Sequence, residues 1–320
     1  MAIKWFKLYL AFIFILMISI LIGMRVLGED SDFHAYSAFY ESITHNFTFF
    51  DTRFEWGFVA LSYFFKQILE VDIFFMLISL AFVSLLIKAF IFDKIPNPIL
   101  ITVLYLTSFG LLHEMTQIRV ALAVSFVLLS LYYRSKNSMI LSLLLFLVAI
   151  SLHYSMMFFL IAYLVPDTYI RNNKLKLPYL FFYGLVSALL LYFLLDIFIS
   201  RIPMLQVYAA RADSETFNFL SIRVIGLIVP LILGLTSFKD FTVFNKRCFI
   251  ISISAFIISI PASIIPTLAS RLFELGWVCF YFWVSAITSP NKKFISLFLL
   301  SVVSIYFFIR NVYLEPIFGF

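Results

Sequence analysis

Charged residues are scarce in this sequence. Only 12% of its 320 residues are Asp, Glu, Lys or Arg, whereas 63% are hydrophobic. No water-soluble core could bury so much apolar side chain, so the composition excludes an ordinary soluble domain and indicates a protein that crosses a membrane several times. The net charge of +6 is then explained by basic residues that orient membrane helices, and nucleic acid is not an expected partner.

Several familiar motifs are also absent. The chain has no G-x-x-x-x-G-K-[ST] phosphate loop and no G-x-S-x-G nucleophile elbow, which argues against a P-loop NTPase and an α/β-hydrolase. Its two cysteines, Cys248 and Cys279, fall inside apolar runs, so we expect them to pack rather than to form a disulfide. Asp196 is the one acid deep in an apolar run, and this scarcity disfavours a proton-coupled transporter.

The apolar runs predict an all-α polytopic membrane protein. Each transmembrane helix needs about 20 apolar residues, and lipid requires the backbone to be hydrogen-bonded within the helix. We expect about eleven spans in one integral membrane domain, residues 1–320, and an amphipathic interfacial helix over 55–70. The predicted spans are 8–28, 71–92, 97–112, 117–133, 138–152, 154–166, 177–199, 221–238, 247–265, 272–288 and 294–312.

The two kinds of basic residue divide between the two faces of this topology. With the N-terminus inside, the inner face carries fourteen basic residues, eleven of them lysine, and the outer face carries nine, eight of them arginine. Lysine on the inner side follows the positive-inside rule. Arginine on the outer side needs another explanation, and we expect it to bind a phosphate-bearing substrate at the outer loops 29–56 and 200–220.

Two outer residues are the leading candidates for chemistry. His153 follows an apolar run at a predicted helix break, and a neutral imidazole near pH 7 is suited to general-base catalysis. Arg119 lies at the outer end of a span, where its guanidinium could bind two phosphate oxygens at once. Each could instead be structural: the histidine could bond a neighbouring helix, and the arginine could reach the lipid headgroups.

Further charged residues are expected on the same face. Arg271 precedes an aromatic run and could contact the substrate, although Glu274, three residues on, could neutralise it. Arg211 lies in the second outer loop. His113 and Glu114 lie on the short connection before the span of Arg119 and could orient that arginine.

The first outer loop supplies three more candidate substrate-binding residues. Asp32 and Tyr36, four residues apart, could share a helical face over the site. Glu55 begins the amphipathic helix, where it could bind substrate or simply interact with the positive end of the helix.

A loose pattern over most of the chain resembles the Wzy/EpsG-type bacterial polysaccharide polymerases. After an N-terminal anchor, the pattern consists of Asp32-x-x-x-Tyr36, Glu55-x-Gly57-Phe58, Gln117-Ile118-Arg119 with small residues after it, a basic turn at 134–136, His153 after an apolar run, and Arg271 before aromatic residues. The family's glutamate motif usually has proline where this chain has Trp56.

The resemblance implies an inner-membrane enzyme with a glycosyltransferase-C-like fold and an active site that faces the periplasm. Such an enzyme transfers a growing glycan from undecaprenyl pyrophosphate to the nonreducing end of a lipid-linked repeat unit. The resemblance also implies that no metal or other cofactor is needed, and the expected partners are the lipid-linked oligosaccharide, the bilayer and a chain-length regulator. His153 would be the base, and Arg119 and Arg271 would stabilise the pyrophosphate.

Other functions remain compatible with the sequence. A membrane O-acyltransferase could also use a histidine base, but its essential His and Arg would be expected early in the chain. A lipid-linked oligosaccharide flippase would need charges along both leaflets. A ligase that attaches finished glycan to a lipid core is chemically closest.

Overall fold

A computed structural model describes residues 2–44, 52–172 and 216–317, with isolated helical positions between 182 and 206. Regular structure in these residues is helical throughout. The helices up to residue 172 are α1 (Ala2–Gly23), α2 (Ser31–Ser42), α3 (Trp56–Tyr63), α4 (Ile73–Phe92), α5 (Pro98–Tyr105), α6 (Ile118–Ser135), α7 (Met139–Leu152), α8 (Leu160–Leu164) and α9 (Asp167–Arg171). Those after residue 216 are α10 (Ile222–Ser237), α11 (Val243–Ala262), α12 (Pro266–Val284) and α13 (Pro290–Ile309).

Three of these helices continue into π-helical turns, after α3 (Phe64–Ile68), α5 (Leu106–Thr116) and α13 (Arg310–Leu314). Within the described ranges, six segments are long and apolar enough to cross a membrane: Ile73–Phe92, Pro98–Thr116, Ile118–Ser135, Ile222–Asp240, Val243–Ala262 and Pro290–Leu314. Shorter apolar helices cover Tyr9–Gly23, Met139–Leu152 and Tyr154–Leu164. The predicted all-α polytopic membrane fold is therefore confirmed, and the predicted span 177–199 lies mostly outside the described residues.

The chain divides into two compact units. The first comprises residues 1–94, 98–157 and 304–320, and the second comprises residues 95–97 and 158–303. The prediction of a single integral domain stays a prediction, as does the glycosyltransferase-C-like arrangement.

Close helix packing in the first unit depends on small side chains. Helix α4 packs against α1 and α6, and α6 packs against α7. Ala121, Ala123 and Ser125 are fully buried on α6, and such small residues let neighbouring helices approach closely in a membrane. Ser130 and Ser142 then join α6 to α7, because each hydroxyl donates to the backbone carbonyl of the other residue.

Helices α11 and α12 form the core of the second unit. A Cβ on Gly276 would lie 2.5 Å from the Cβ of Ala255, so glycine is what allows this approach. Ser252 donates to the Gly276 carbonyl at 2.7 Å. Arg247 on α11, expected in an inner loop, is instead fully buried and forms an ion pair with Asp167.

Two interruptions of helical structure place candidate residues at helix ends. Helix α7 ends at Leu152, and His153 caps it with extended backbone (φ −159°, ψ 118°) before a 3₁₀ turn over Tyr154–Phe159. The predicted break near His153 is therefore confirmed. The single non-helical residue Gln117 separates the π-helical turns from α6, so Arg119 lies in the first turn of that helix.

Candidate active site in the first unit

A single carboxylate joins the two leading candidates. Glu55 Oε1 lies 2.6 Å from Nδ1 of His153, and Glu55 Oε2 accepts a hydrogen bond from Nη1 of Arg119. Glu55 is the residue before α3, His153 caps the end of α7, and Arg119 begins α6. Three separate helix ends thus meet at one buried carboxyl group.

Aromatic rings enclose the Arg119 guanidinium. Its central carbon lies 4.6 Å from the ring centroid of Phe54, 5.3 Å from that of Tyr36 and 5.4 Å from that of Phe58. The Nε group also donates a long hydrogen bond, 3.4 Å, to the hydroxyl of Tyr36. Cation–π contacts of this kind fix a guanidinium without consuming its donors, and the Arg119 side chain keeps 18% of its surface exposed.

Gly57 allows α3 to approach α7 closely enough for these contacts. A Cβ at position 57 would lie 2.4 Å from Oγ and 2.7 Å from the backbone oxygen of Ser151. Because the Ser151 backbone cannot give way, any larger residue would push apart the elements that carry Glu55 and His153. The spacing of Glu55-x-Gly57 therefore has a direct steric reason.

The charges around the carboxylate favour its ionised form. Burial by itself raises the pKa of the Glu55 carboxyl, but the hydrogen bond with His153 and the positive charge of Arg119 outweigh burial and hold this pKa below its ordinary value. Burial also raises the pKa of Tyr36, so its hydroxyl stays neutral at physiological pH. The site thus holds a carboxylate between an imidazole and a guanidinium.

This geometry suits general-base chemistry. With Glu55 ionised, His153 donates its Nδ1 proton to the carboxylate, which leaves Nε2 as the nitrogen that can accept another proton. The His153 side chain is 13% exposed, enough to meet a substrate. Among the residues that the structure describes, no group of three or more His, Cys, Asp or Glu side chains could hold a metal ion.

A buried ion pair fixes the helix that carries Tyr36. Asp30 caps α2 by accepting hydrogen bonds from the backbone N–H groups of Asp32 and Phe33, and it lies 3.4 Å from Arg25 with both side chains buried. Asp32 is in the first turn of α2, partly exposed. Its charge acts on Tyr36 and Arg119, but no hydrogen bond from its side chain to either residue is among the described contacts.

Glu114 belongs to a different polar centre. It is fully buried and forms an ion pair with Lys88 at 2.7 Å, and it accepts hydrogen bonds from Ser84 and Tyr105 at 2.8 and 2.9 Å. Lys88 was expected in an inner loop but lies within α4. Its ammonium reaches the Glu114 carboxylate between the helices. Glu114 is in a π-helical turn, not in a loop, and it is not one of the groups that meet at Glu55.

His113, the neighbour of Glu114, is also buried in the π-helical turns. Its ring lies 4.7 Å from that of Phe109, centroid to centroid. Like Glu114, it was expected on a short connection, and helical hydrogen bonding continues through that connection as far as Thr116.

Two of the remaining candidates belong to the second unit. In the second unit, Arg271 on α12 forms a 3.3 Å ion pair with Glu274 one turn on, the neutralising contact that their spacing allows. Arg271 keeps 40% of its side chain exposed. Arg211 lies outside the described residues.

The aromatic enclosure and the buried lysine were not expected from the sequence. Phe58 is part of the Glu55-x-Gly57-Phe58 motif, and Phe54 directly precedes it, but nothing in the motif indicated that these rings would contact Arg119. Lys88 carried a weaker signal, since it lies within four residues of the end of a strongly apolar run, where lysine usually reaches towards the membrane surface.

Comparison with known proteins gives one informative match. No curated protein and no solved structure matches this chain. The model of the EpsG family matches residues 8–318, which include every residue that meets at Glu55. The chain is therefore a member of the EpsG family, the Wzy/EpsG-type polysaccharide polymerases.

Proposed function

We propose that this protein elongates a bacterial polysaccharide by transferring a growing glycan from undecaprenyl pyrophosphate to the nonreducing end of a lipid-linked repeat unit. Membership of the EpsG family supports a glycosyltransferase-type polymerase in general. The donor, the acceptor and the residue roles are the proposed part. They are supported by the Glu55 carboxylate, which contacts both His153 and Arg119.

His153 is the proposed general base. The acceptor is a sugar hydroxyl, a poor nucleophile until its proton is removed. Nε2 of His153 takes that proton while the hydroxyl oxygen attacks the anomeric carbon, and Glu55 stabilises the imidazolium that forms. A positioned base of this kind typically contributes about 10²–10⁴-fold to the rate.

Arg119 is the proposed partner of the leaving group. As the new glycosidic bond forms, the bond from the anomeric carbon to the pyrophosphate oxygen breaks, and undecaprenyl pyrophosphate departs with the bonding electrons. A guanidinium fixed by aromatic rings can stabilise the developing charge with little reorganisation. Direct displacement inverts the anomeric centre, and the proposed reaction uses no metal.

Other parts of the proposal rest on the sequence. Arg271 and Arg211 remain proposed contacts to the pyrophosphate, and Asp32, His113, Glu114 and Glu274 remain proposed substrate-side residues; for Glu114 this could only be indirect, given its burial. The proposed location is the inner membrane with the site facing the periplasm, and a chain-length regulator is a proposed partner.

The test is reconstitution of the purified protein in lipid nanodiscs with a synthetic pyrophosphate-linked repeat unit. A ladder of lengthening products supports polymerisation, whereas a single addition to a lipid core indicates a ligase and acetyl incorporation indicates an acyltransferase. We expect His153→Ala to lower the rate by at least about 100-fold.

His34→Ala is the matched control, because the His34 side chain is 68% exposed on α2 and its nearest ionic partner is Glu29. This variant should retain the full rate. Wild-type ladders from His153→Ala would refute the assignment of the base.

A further inference from the structure

The site around Glu55 lacks spare positive charge. The Glu55 carboxylate and the Arg119 guanidinium form an ion pair, so their charges largely cancel, and His153 must be neutral to act as a base. A pyrophosphate leaving group carries several negative charges. Besides the proposed contacts of Arg271 and Arg211, a site that binds it is therefore strengthened by a further cation close to Arg119.

Arg53 is such a cation. Its guanidinium carbon lies 5.2 Å from the ring centroid of Phe54, the same ring that Arg119 contacts at 4.6 Å. The separation of the two guanidinium groups therefore cannot exceed the sum of these two short distances. Arg53 is exposed, and it forms no ion pair with any residue in the described part of the chain.

A cavity of about 230 Å³ opens beside Arg53. Ala35 and Ala38 on α2 leave the space, while Phe54 forms a wall and Thr52 and Arg53 supply polar groups. Thr52 Oγ1 accepts the backbone N–H of Phe54 at 3.0 Å, so its own hydroxyl proton can be donated to a ligand.

The chemistry of the cavity indicates its ligand. A guanidinium and a hydroxyl are both hydrogen-bond donors, and a guanidinium matches phosphate oxygens in geometry and charge. Drug-sized ligands usually occupy pockets of about 300–1,000 Å³. This cavity is smaller, so it suits a phosphate or pyrophosphate group rather than an oligosaccharide.

We propose that Arg53 and the cavity beside it bind the pyrophosphate of the lipid-linked substrate, with Arg53 as the second cation next to Arg119. This inference rests on the proposed function, since it assumes a pyrophosphate-linked lipid. Both guanidinium groups contact the Phe54 ring, which keeps them near enough to bind different parts of one anion.

The test is binding of undecaprenyl pyrophosphate to the full-length protein in nanodiscs of phosphatidylcholine. Arg53→Gln removes one charge-assisted contact and should weaken binding roughly 10- to 100-fold. Arg53→Lys keeps the charge and should lose less. Because Arg53 is exposed, both variants should unfold at the wild-type temperature.

Lys136→Gln is the matched control for loss of one exposed positive charge. Lys136 is exposed at the opposite end of α6 from Arg119, about 25 Å away along the helix. Its removal should change binding by less than about twofold if the effect of Arg53 is local.

Two results would overturn the inference. One is wild-type affinity for undecaprenyl pyrophosphate in Arg53→Gln. The other is an Arg53-dependent affinity for phosphatidylglycerol without any such dependence for undecaprenyl pyrophosphate, which would identify a lipid-headgroup site. If binding depends on Arg53 but no glycan ladder forms, the proposed function fails while this inference stands.

Discussion

The Lys88–Glu114 pair allows a stability prediction that separates a buried ion pair from an exposed one. The Lys88 and Glu114 side chains are only 1% and 0% exposed. Lys88 Nζ also donates to Ser84 and Ser125, at 2.8 and 2.6 Å, and to the Ala121 carbonyl at 2.8 Å. The ammonium therefore joins α4 to the π-helical turns and also to α6. These two elements meet at Gln117, two residues before Arg119.

Removing either charge alone should be costly. Lys88→Met leaves a buried carboxylate without its cation, and Glu114→Leu leaves a buried ammonium without its anion. Each loss should lower the free energy of unfolding by about 3–5 kcal/mol. Removing both charges in Lys88→Met/Glu114→Leu leaves no uncompensated charge, so the double variant should be far closer to wild type than the sum of the two single effects.

The assay is reversible unfolding in bicelles or mixed micelles, read for the four proteins of the double-mutant cycle. The neighbouring exposed pair, Lys94 and Asp93, is the control, since these side chains are 40% and 72% exposed. Lys94→Met should cost no more than about 1 kcal/mol. Additive effects of the two substitutions at positions 88 and 114, or single effects as small as that of Lys94→Met, would refute the reasoning.

Two further predictions concern the active site. The pKa of Glu55 is lowered in the folded protein from its ordinary value of 4.5, so its ionic contribution should be fully present above about pH 4.5 and lost as pH falls through the lower folded value. The stabilisation of wild type relative to Glu55→Gln, measured as the difference in unfolding temperature, should therefore shrink only as pH falls below about 4.5; a difference that shrinks already between pH 7 and pH 5 would contradict the assignment. Gly57→Ala should lower kcat/KM by about 100-fold if Glu55 and His153 act as proposed, because a Cβ 2.7 Å from the Ser151 backbone oxygen must displace the elements that carry them. In the control Gly110→Ala the nearest atom to the new Cβ would belong to the Leu106 side chain, at 3.2 Å, and the nearest backbone atom would lie at an ordinary 3.6 Å. Activity as low as that of Gly57→Ala would contradict the steric explanation.

The sequence was sufficient to identify several residues of the site one at a time. His153 and Arg119 stood out because an imidazole or guanidinium at the outer end of an apolar run is costly unless it is used or paired. Tyr36 and Glu55 came from short motifs in the first outer loop. All four lie together in the structure. The break at His153 was predicted because a single helix over 138–166 would have placed Arg171, Lys174 and Lys176 on the outer side, against the positive-inside rule.

The role of Glu55 could not be read from the sequence. It was expected to bind substrate or to stabilise its own helix, yet it lies between two partners that are 98 and 64 residues away in the chain. Whether a carboxylate meets an imidazole, a guanidinium or solvent depends on how three helix ends converge. Glu114 shows the same limit, because the residues beside it in the sequence gave no indication that Lys88, from another helix, would neutralise it.

Composition and periodicity determined that this protein is an all-α polytopic membrane protein, because in lipid the polar backbone groups of such apolar segments are best satisfied within helices. They also indicated which polar residues lie where placing them in the membrane costs enough free energy to require a structural or functional reason. Only the tertiary structure decided which of these residues pair with one another. Pairing is set by distances of a few ångströms between helices far apart in sequence, and a one-dimensional pattern contains no such distances.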